Sequence, residues 1–139
     1  MGEDQQQLVT IAGVYELEQS ESGSFVLLRD QQNRAFVIGV GPCEAFAILS
    51  ALNNQKFHRP LSHDLMQAVL EQLGARIEKI VVDDLSNDVF YCRLTISSNG
   101  NQLTIDARPS DAIALALRSG APIYATEAVI TEALLKEGD

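Results

Sequence analysis

The 139-residue sequence is poor in the residues that build disulfides and soft metal sites. It has only two cysteines, Cys43 and Cys92, and neither belongs to a C-x-x-C pair, so we expect no disulfide framework and no thiolate zinc site. Two histidines, His58 and His63, are too few for a metal centre built from several imidazoles. Unpaired cysteines among apolar neighbours fit a reducing compartment, and we expect the cytoplasm.

Long apolar runs are also missing. No stretch approaches the ~20 apolar residues that a membrane-spanning helix needs, so we expect no membrane segment. The first seven residues are acidic and amide-rich, without the basic start and apolar continuation of a secretory signal. With 46% hydrophobic and 21% charged residues, the composition is that of an ordinary globular chain. The length suits one compact domain with its own core.

Positive charge is scarce. Ten Lys and Arg stand against nineteen Asp and Glu, which gives a net charge of −9 at pH 7, and no basic run occurs. Because proteins hold nucleic acid by neutralising its phosphates, this balance argues against a tight, constitutive nucleic-acid binder. It leaves room for an enzyme that recruits a divalent cation to carboxylates, since the metal supplies the positive charge locally.

Hydrophobic periodicity predicts strands followed by helices, twice over. The first round is a meander of three strands and then two helices: Leu8–Leu17, Phe25–Leu28, Ala35–Val40, a helix from Pro42 to about Asn53, and a helix capped by Ser62 and stopped by Gly74. The second round is Ile77–Leu85, Val89–Ile96, Gln102–Ala107, a helix from Pro109 to Gly120, Pro122–Ala125, and a helix capped by Thr126 that ends near Leu135. This order predicts an α+β fold with a mostly antiparallel sheet and three to four helices.

The first candidate site lies in the segment RPLSHDL, where His63 and Asp64 occupy the first turn of a predicted helix. The helix dipole favours a carboxylate there. A neutral imidazole beside that carboxylate could bind a metal or accept a proton. The alternative that stays open is a simple first-turn charge at Asp64 and a half-buried side chain at His63.

The second candidate is the pair Asp83 and Asp84, which closes an apolar strand just before a turn. Carboxylate oxygens are the ligands that Mg²⁺ and Mn²⁺ prefer. Alternation along a strand predicts that only one of the two faces any given site. Aspartate before a turn also occurs for purely local hydrogen-bonding reasons, so a structural role stays open.

The third candidate is the segment DARPSDAIALALR, which places Asp106, Arg108 and Asp111 around a strand-to-helix junction. Arg108 could hold a phosphate at the helix N-terminus, while the two aspartates bind a metal or activate water. The alternative is a structural network in which Arg108 bridges Asp106 and Asp111. The sequence has no Gly-rich phosphate loop, no H-E-x-x-H and no nucleophile elbow.

Together with the strand FYCRL, these ordered motifs resemble the bifunctional nuclease domain family. The resemblance covers about residues 9–135 and identifies residues 1–139 as a single domain of this kind. It implies a small α+β domain that cleaves RNA and DNA without strong sequence preference. Carried onto the matching motifs, it implies eight site residues: His63, Asp64, Arg93 and Arg108 as catalytic residues, and Asp83, Asp84, Asp106 and Asp111 as metal ligands.

Three functional hypotheses follow. The leading one is a nuclease assisted by Mg²⁺ or Mn²⁺, with nucleic acid as a transient substrate, His63 as base or ligand, and Arg108 and Arg93 on the phosphate. The second is a non-enzymatic regulatory or assembly module in which the Asp and Arg residues form a structural salt-bridge network. The third is a hydrolase or sensor of phosphorylated small molecules. An alanine-rich helix and an exposed meander predict a homo-oligomer, with a dimer as the simplest case.

Overall fold

A computed structural model describes residues 5–16 and 23–135 of the chain. These residues form four helices and a seven-stranded, mostly antiparallel sheet, so the predicted α+β fold is confirmed. Their order is β1 (Gln6–Glu16), β2 (Ser24–Asp30), β3 (Ala35–Val40), α1 (Pro42–Leu52), α2 (Ser62–Gln72), β4 (Ala75–Ser86), β5 (Val89–Ser98), β6 (Asn101–Ala107), α3 (Pro109–Ser119), β7 (Ile123–Thr126) and α4 (Glu127–Ala133).

The predicted strands are all present, and most run one to three residues further than expected. The N-terminal meander is confirmed, because β2 pairs antiparallel with both β1 and β3. The predicted turn at Glu18–Gly23 lies almost wholly outside the described residues, as does Leu17 at the end of the first predicted strand. Local alternation of apolar and polar side chains was therefore sufficient to find the strands and their neighbours along the chain.

The sheet order is β3-β2-β1-β7-β4-β5-β6, and the late strand β7 lies between the meander and the β4–β6 segment. It pairs antiparallel with β1 and parallel with β4. The sheet curls, since Phe36 on β3 stacks on Phe90 on β5 with ring centroids 5.9 Å apart. The core fills the inside of this curl and includes the alanine-rich face of α3, which contacts β4 and β5.

Strand register identifies which side chains face the core. Cys92, Leu94 and Ile96 on β5 are buried in it, whereas Arg93 lies opposite Val81 and points to the other side of the sheet. Val81 is buried but falls outside the core cluster, as this alternation requires. We call the two sides the core face and the outer face.

Helix ends follow local chemistry in most places. Pro42 and Pro109 occupy the first turns of α1 and α3, and Gly120 ends α3 with a φ of 76°, a conformation that glycine adopts without strain. Thr126 caps α4 through a bond from the backbone N–H of Val129. The prediction of Ser62 as the N-cap of α2 was wrong by one residue.

The N-cap of α2 is Leu61, and Ser62 makes no side-chain capping bond. The backbone N–H of Leu61 donates to Oδ2 of Asp64 at 2.9 Å. The aspartate in the first turn therefore pairs with the N–H of the N-cap residue, which is a different bond from the one expected of a capping hydroxyl. In the described part of the chain, no helix has the length and apolar character required to cross a membrane.

Candidate functional site

The first turns of three helices line one cavity of about 470 Å³. We call it the three-helix cavity. It is bounded by the start of α1, the start of α2 and the start of α3, through Cys43, Glu44, Leu61, Ser62, His63, Arg108 and Asp111. Backbone N–H groups in a first helical turn have no partner within the helix, and the dipole adds partial positive charge there. Three such ends around one cavity favour an anionic ligand.

His63 and Asp111 meet at the floor of this cavity. Nε2 of His63 lies 2.9 Å from Oδ1 of Asp111, and the His63 side chain is only 11% exposed. An ionised carboxylate can only accept, so Nε2 carries the shared proton and Nδ1 of the neutral ring keeps its lone pair. Nδ1 has no hydrogen-bond partner in residues 5–16 and 23–135. The pair therefore leaves one basic nitrogen for a ligand.

Arg108 connects Asp111 to the start of α1. Its Nε and Nη2 donate to the two oxygens of Asp111 at 2.9 and 3.2 Å, and its Nη1 donates to Oε2 of Glu44 at 3.1 Å. Of the alternative network, in which Arg108 bridges Asp106 and Asp111, only the Asp111 half forms, because β6 ends at Ala107 and Arg108 is already the N-cap of α3. The guanidinium side chain is 64% exposed, so a ligand in solvent can reach it.

Asp111 stays ionised under the combined effect of its neighbours. Partial burial raises the pKa of its carboxyl, but hydrogen bonds from Arg108 and from His63 outweigh burial and lower that pKa below its ordinary value. A permanent carboxylate at this position fixes the orientation of the imidazole and stabilises the ring when it takes a second proton.

One part of the cavity wall is apolar. It consists of Phe46 on α1 and Met66 on α2, which are 50% and 43% exposed. Phe46 also contacts Phe57, with ring centroids 5.8 Å apart and planes tilted by 53°. An exposed aromatic ring beside a cationic and hydrogen-bonding floor suits a ligand that has both a flat apolar part and an anionic part.

Asp64, although adjacent to His63, belongs to a different group of residues. Its Oδ1 accepts from Nε of Arg118 at 2.6 Å, and Arg118 also donates to the carbonyl oxygens of Ala47 and Ala114. Hydrogen bonds from Arg118 and Leu61 lower the pKa of Asp64 despite the raising effect of burial. Asp64 lines a separate cavity of about 240 Å³ with Arg118. This arrangement joins α1, α2 and α3.

Four further predicted site residues lie on the outer face of the sheet. Arg93 is opposite Asp106 in the register of β5 and β6, and its Nε donates to Oδ2 of Asp83 at 3.1 Å. A register shift leaves Asp83 unpaired in the ladder, so simple alternation between Asp83 and Asp84 does not hold. Asp84 is exposed, and its carboxylate accepts from the next backbone N–H. None of the four lines the three-helix cavity.

The carboxylates of the three-helix cavity do not fit a divalent cation as they are arranged. Asp111 and Glu44 both accept from Arg108, whose positive charge occupies the place between them. Asp83, Asp84 and Asp106 lie on the other side of the sheet. In the described ranges, no three His, Cys, Asp or Glu side chains are grouped so that they could hold a metal ion. The predicted four-aspartate metal site is therefore dispersed in this structure.

Reasoning from the sequence missed Glu44 and Phe46, two residues of the cavity. Glu44 is the acidic residue in the first turn of α1, two positions after Pro42, and this placement is a usable signal for a residue at a helix start. Phe46 carries no such signal, because an aromatic residue in an amphipathic helix is indistinguishable from a core residue until the packing is known. Its exposure becomes apparent only in the folded structure.

Comparison with known proteins identifies the family. Residues 26–137 match the sequence model of the bifunctional nuclease domain. An uncharacterized protein of Mycobacterium tuberculosis is 36% identical over 126 residues, which cover 90% of this chain and 74% of that protein. Bifunctional nuclease 1 of Oryza sativa subsp. japonica is 30% identical over 79 residues, or 55% of this chain and 24% of the plant protein. Bifunctional nuclease 1 of Arabidopsis thaliana is 27% identical over a segment of the same length. The chain belongs to the bifunctional nuclease domain family.

Proposed function

We propose that this protein is a nuclease that hydrolyses phosphodiester bonds of RNA and DNA at the three-helix cavity. The family and the names of the plant relatives support the reaction class. The observation that carries the proposal is the His63–Asp111 pair beside Arg108 at a point where three helices begin. Two free cysteines, Cys43 and Cys92, support the cytoplasm as its compartment.

Substrate binding uses positive charge that is local rather than spread over the surface. The scissile phosphate is held by first-turn N–H groups and by the exposed guanidinium of Arg108, which turns from Glu44 toward the ligand. These donors surround the site where negative charge grows in the transition state. Because the chain as a whole carries a net charge of −9, contacts outside the cavity contribute little attraction.

The chemistry rests on Nδ1 of His63. A water molecule attacks phosphorus while Nδ1 accepts one of its protons, and the bond from phosphorus to the leaving oxygen breaks. Asp111 holds Nε2 and stabilises the imidazolium that forms. The imidazolium then returns its proton to the leaving oxygen, which restores the neutral ring. General acid–base catalysis of this kind contributes about 10²- to 10⁴-fold.

No step of this proposal passes through a metal ion, because Arg108 already neutralises both carboxylates of the cavity. Dependence on Mg²⁺ or Mn²⁺ stays a prediction from the sequence, and so does the metal-binding role of Asp83, Asp84, Asp106 and Asp111. A divalent cation bound jointly by Asp106 and Asp111 would require Asp106 to leave the outer face.

Unpaired strands are the proposed substrate form. An unstacked base can lie on Phe46 while the neighbouring phosphate reaches Arg108. Both residues line the three-helix cavity, so one cavity provides both contacts. Stacking on an aromatic ring contributes about 1–3 kcal/mol per base and tolerates any sequence. This fits cleavage of both RNA and DNA without strong sequence preference.

A second candidate function is a non-enzymatic assembly module. The observation that favours it is the full pairing of Arg108, Arg118 and Arg93 with carboxylates in the absence of ligand. In this case the pairs would only orient helices and strands. Arg108 and Arg93 make the two hypotheses separable, because both are exposed and paired with an aspartate but only Arg108 lines the cavity.

The test compares cleavage of a fluorescent single-stranded oligonucleotide by the wild type and by two lysine variants, Arg108→Lys and Arg93→Lys. Each enzyme is assayed with EDTA, with Mg²⁺ and with Mn²⁺. We expect Arg108→Lys to lower kcat/KM by at least about tenfold, since lysine cannot form the bidentate contact, and Arg93→Lys to leave it unchanged. Inactivity of the wild type under all three conditions would support the assembly module instead.

The same assay distinguishes a metal-free site in the three-helix cavity from a metal site formed by the predicted aspartates. The three-helix cavity predicts a large loss for Asp111→Asn and wild-type activity for Asp106→Asn. Strict dependence on Mg²⁺ or Mn²⁺ together with loss of activity in Asp106→Asn would show that the dispersed aspartates gather around a metal, and the proposed mechanism would be wrong.

A further inference from the structure

The strand β6 forms one end of the sheet and has an unusual distribution of apolar side chains. Ile105 and Leu103 lie opposite Leu94 and Ile96 in the register of β5 and β6, so all four are on the core face. Leu94 and Ile96 are 5% and 6% exposed, whereas Leu103 and Ile105 are 56% and 43% exposed. The covering layer over the core face therefore stops at β5.

The edge of β6 also lacks the features that prevent strands from pairing with other molecules. Residues 101–107 contain no proline and no lysine, and the pairing with β5 has no bulge. The other end of the sheet differs, because the carbonyl oxygen of Ala35 on β3 accepts from Leu135 and Phe36 is stacked against β5. A regular edge with a single charged residue is a template for another strand.

We infer that β6 is the interface of a two-fold homodimer, in which β6 of one copy pairs antiparallel with β6 of another. Of the in-register pairings about a two-fold axis, the one centred on Thr104 pairs every residue of the strand, from Asn101 to Ala107. It places Leu103 opposite Ile105 twice, on the core face of a continuous sheet. It places Asp106 opposite Gln102, so no like charges are opposed.

The distribution of charge allows a second copy of the chain to pair at this edge. Two chains that each carry a net charge of −9 repel each other over most of their surfaces. From Asn101 to Ile105 the strand has no charged residue, and Asp106 is the single charge of β6. The edge is thus a part of the surface where two identical acidic chains can meet without bringing carboxylates together.

Exposed apolar residues also occur on α2, whose end lies near the start of β6. Met66, Val69 and Leu73 are 43%, 48% and 70% exposed and follow one another at helical spacing. The end of α2 approaches the start of β6, because Glu71 and Gln102 line one cavity.

The first experiment measures molar mass by sedimentation equilibrium at micromolar protein concentrations. We expect a dimer for the wild type, a monomer of native circular dichroism for Ile105→Glu, and a dimer for Val89→Glu. Val89 is the matched control, because it is an exposed apolar residue of β5 away from the edge. A monomeric wild type, or a dimer that persists in Ile105→Glu, would overturn the inference.

The second experiment tests the register without disturbing the apolar contacts. In a Cys43→Ser background, oxidation should link two copies of Thr104→Cys rapidly, because residue 104 lies opposite itself across the axis. Gln102→Cys should not link, since its counterpart there is Asp106. Rapid linking of Gln102→Cys, or no linking of Thr104→Cys in a protein that sediments as a dimer, would overturn the proposed pairing.

Discussion

At the scale of single residues, the three-helix cavity combines a charged floor with an apolar wall. Arg108, His63 and Asp111 form the floor, and Phe46 is the exposed ring of the wall. Charge alone cannot hold a polyanion on a chain with a net charge of −9, so the wall has to contribute to binding. Phe46 is therefore the residue that should determine how well an unpaired strand binds.

Replacing Phe46 with alanine tests this role. Loss of a stacking surface worth about 1–3 kcal/mol should raise KM for a single-stranded oligonucleotide by about 5- to 100-fold. An oligonucleotide with abasic positions around the scissile bond should bind the wild type and Phe46→Ala equally. Leu52→Ala is the control, because Leu52 is an exposed apolar residue of α1 that does not line the cavity. Equal KM values for Phe46→Ala and the wild type on the intact strand would refute the stacking role.

At the scale of elements, local signals in the sequence located most helix ends but not the contacts between elements. Pro42, Pro109 and Gly120 restrict only their own backbone, so the boundaries that they mark could be predicted. The parallel contact of β7 with β4 joins residues more than forty positions apart, and no local pattern encodes it. Spacing within one motif likewise could not show that Arg108 turns to Glu44 on another helix.

The candidate site, too, could be predicted from the sequence only in part. His63 and Asp111 were both singled out from the sequence, and folding brings them into contact. Asp64 and Asp106 were singled out by the same reasoning, but Asp64 faces Arg118 and Asp106 faces the outer side of the sheet. Residue types that can do chemistry are recognisable in a sequence. Which of them come together depends on the direction of each side chain, and a shift of one residue in strand register reverses that direction.

The turn between β2 and β3 provides a stability test at this scale. The carboxylate of Asp30 is 2% exposed and accepts from the backbone N–H groups of Gln32 and Arg34 and from Nε of Arg34. Arg34 then forms a two-point contact with Glu127 at the start of α4. We expect Asp30→Ala to lower the free energy of unfolding by about 3 kcal/mol, because it removes one of the two carboxylates that pair with the guanidinium of Arg34.

The pH dependence of this effect has a defined sign. Burial raises the pKa of Asp30, but its bonds to Arg34 and Gln32 outweigh burial and lower that pKa below the ordinary 3.8. A lowered pKa in the folded state stabilises the fold above the ordinary value, and the contribution is lost as pH falls through the folded value. Urea unfolding should therefore show a constant difference between the wild type and Asp30→Ala at pH 6–8 that shrinks below about pH 4. Glu132→Ala, an exposed change on α4, should show no difference, and a constant Asp30→Ala effect down to pH 3 would contradict this account.

At the scale of the whole molecule, the salt dependence of the reaction follows from the number of cationic contacts to phosphate and from the net charge of the chain. Each phosphate that is neutralised on a single strand contributes about −0.7 to the slope of log affinity against log salt concentration. Among the residues that the structure describes, Arg108 is the one Lys or Arg that lines the cavity, so the slope for kcat/KM should lie between zero and about −1. Screening of the repulsion between the acidic chain and its substrate reduces the slope further.

Cleavage rates measured between low and physiological ionic strength check this expectation. A matched uncharged osmolyte series controls for viscosity and water activity. A slope steeper than about −3 would require several cationic contacts and would contradict recognition through one local site.

The central claim is that Nδ1 of His63 is the base in the three-helix cavity, and the two histidines of the chain allow a matched test. Single-turnover cleavage of a single-stranded oligonucleotide is compared for the wild type, His63→Gln and His58→Gln, since His58 is exposed and lies outside the cavity. Glutamine can keep the hydrogen bond to Asp111 but cannot take up the proton. We predict that His63→Gln slows cleavage by about 10²- to 10⁴-fold while His58→Gln cleaves at the wild-type rate. Equal rates for His63→Gln and the wild type would contradict the account.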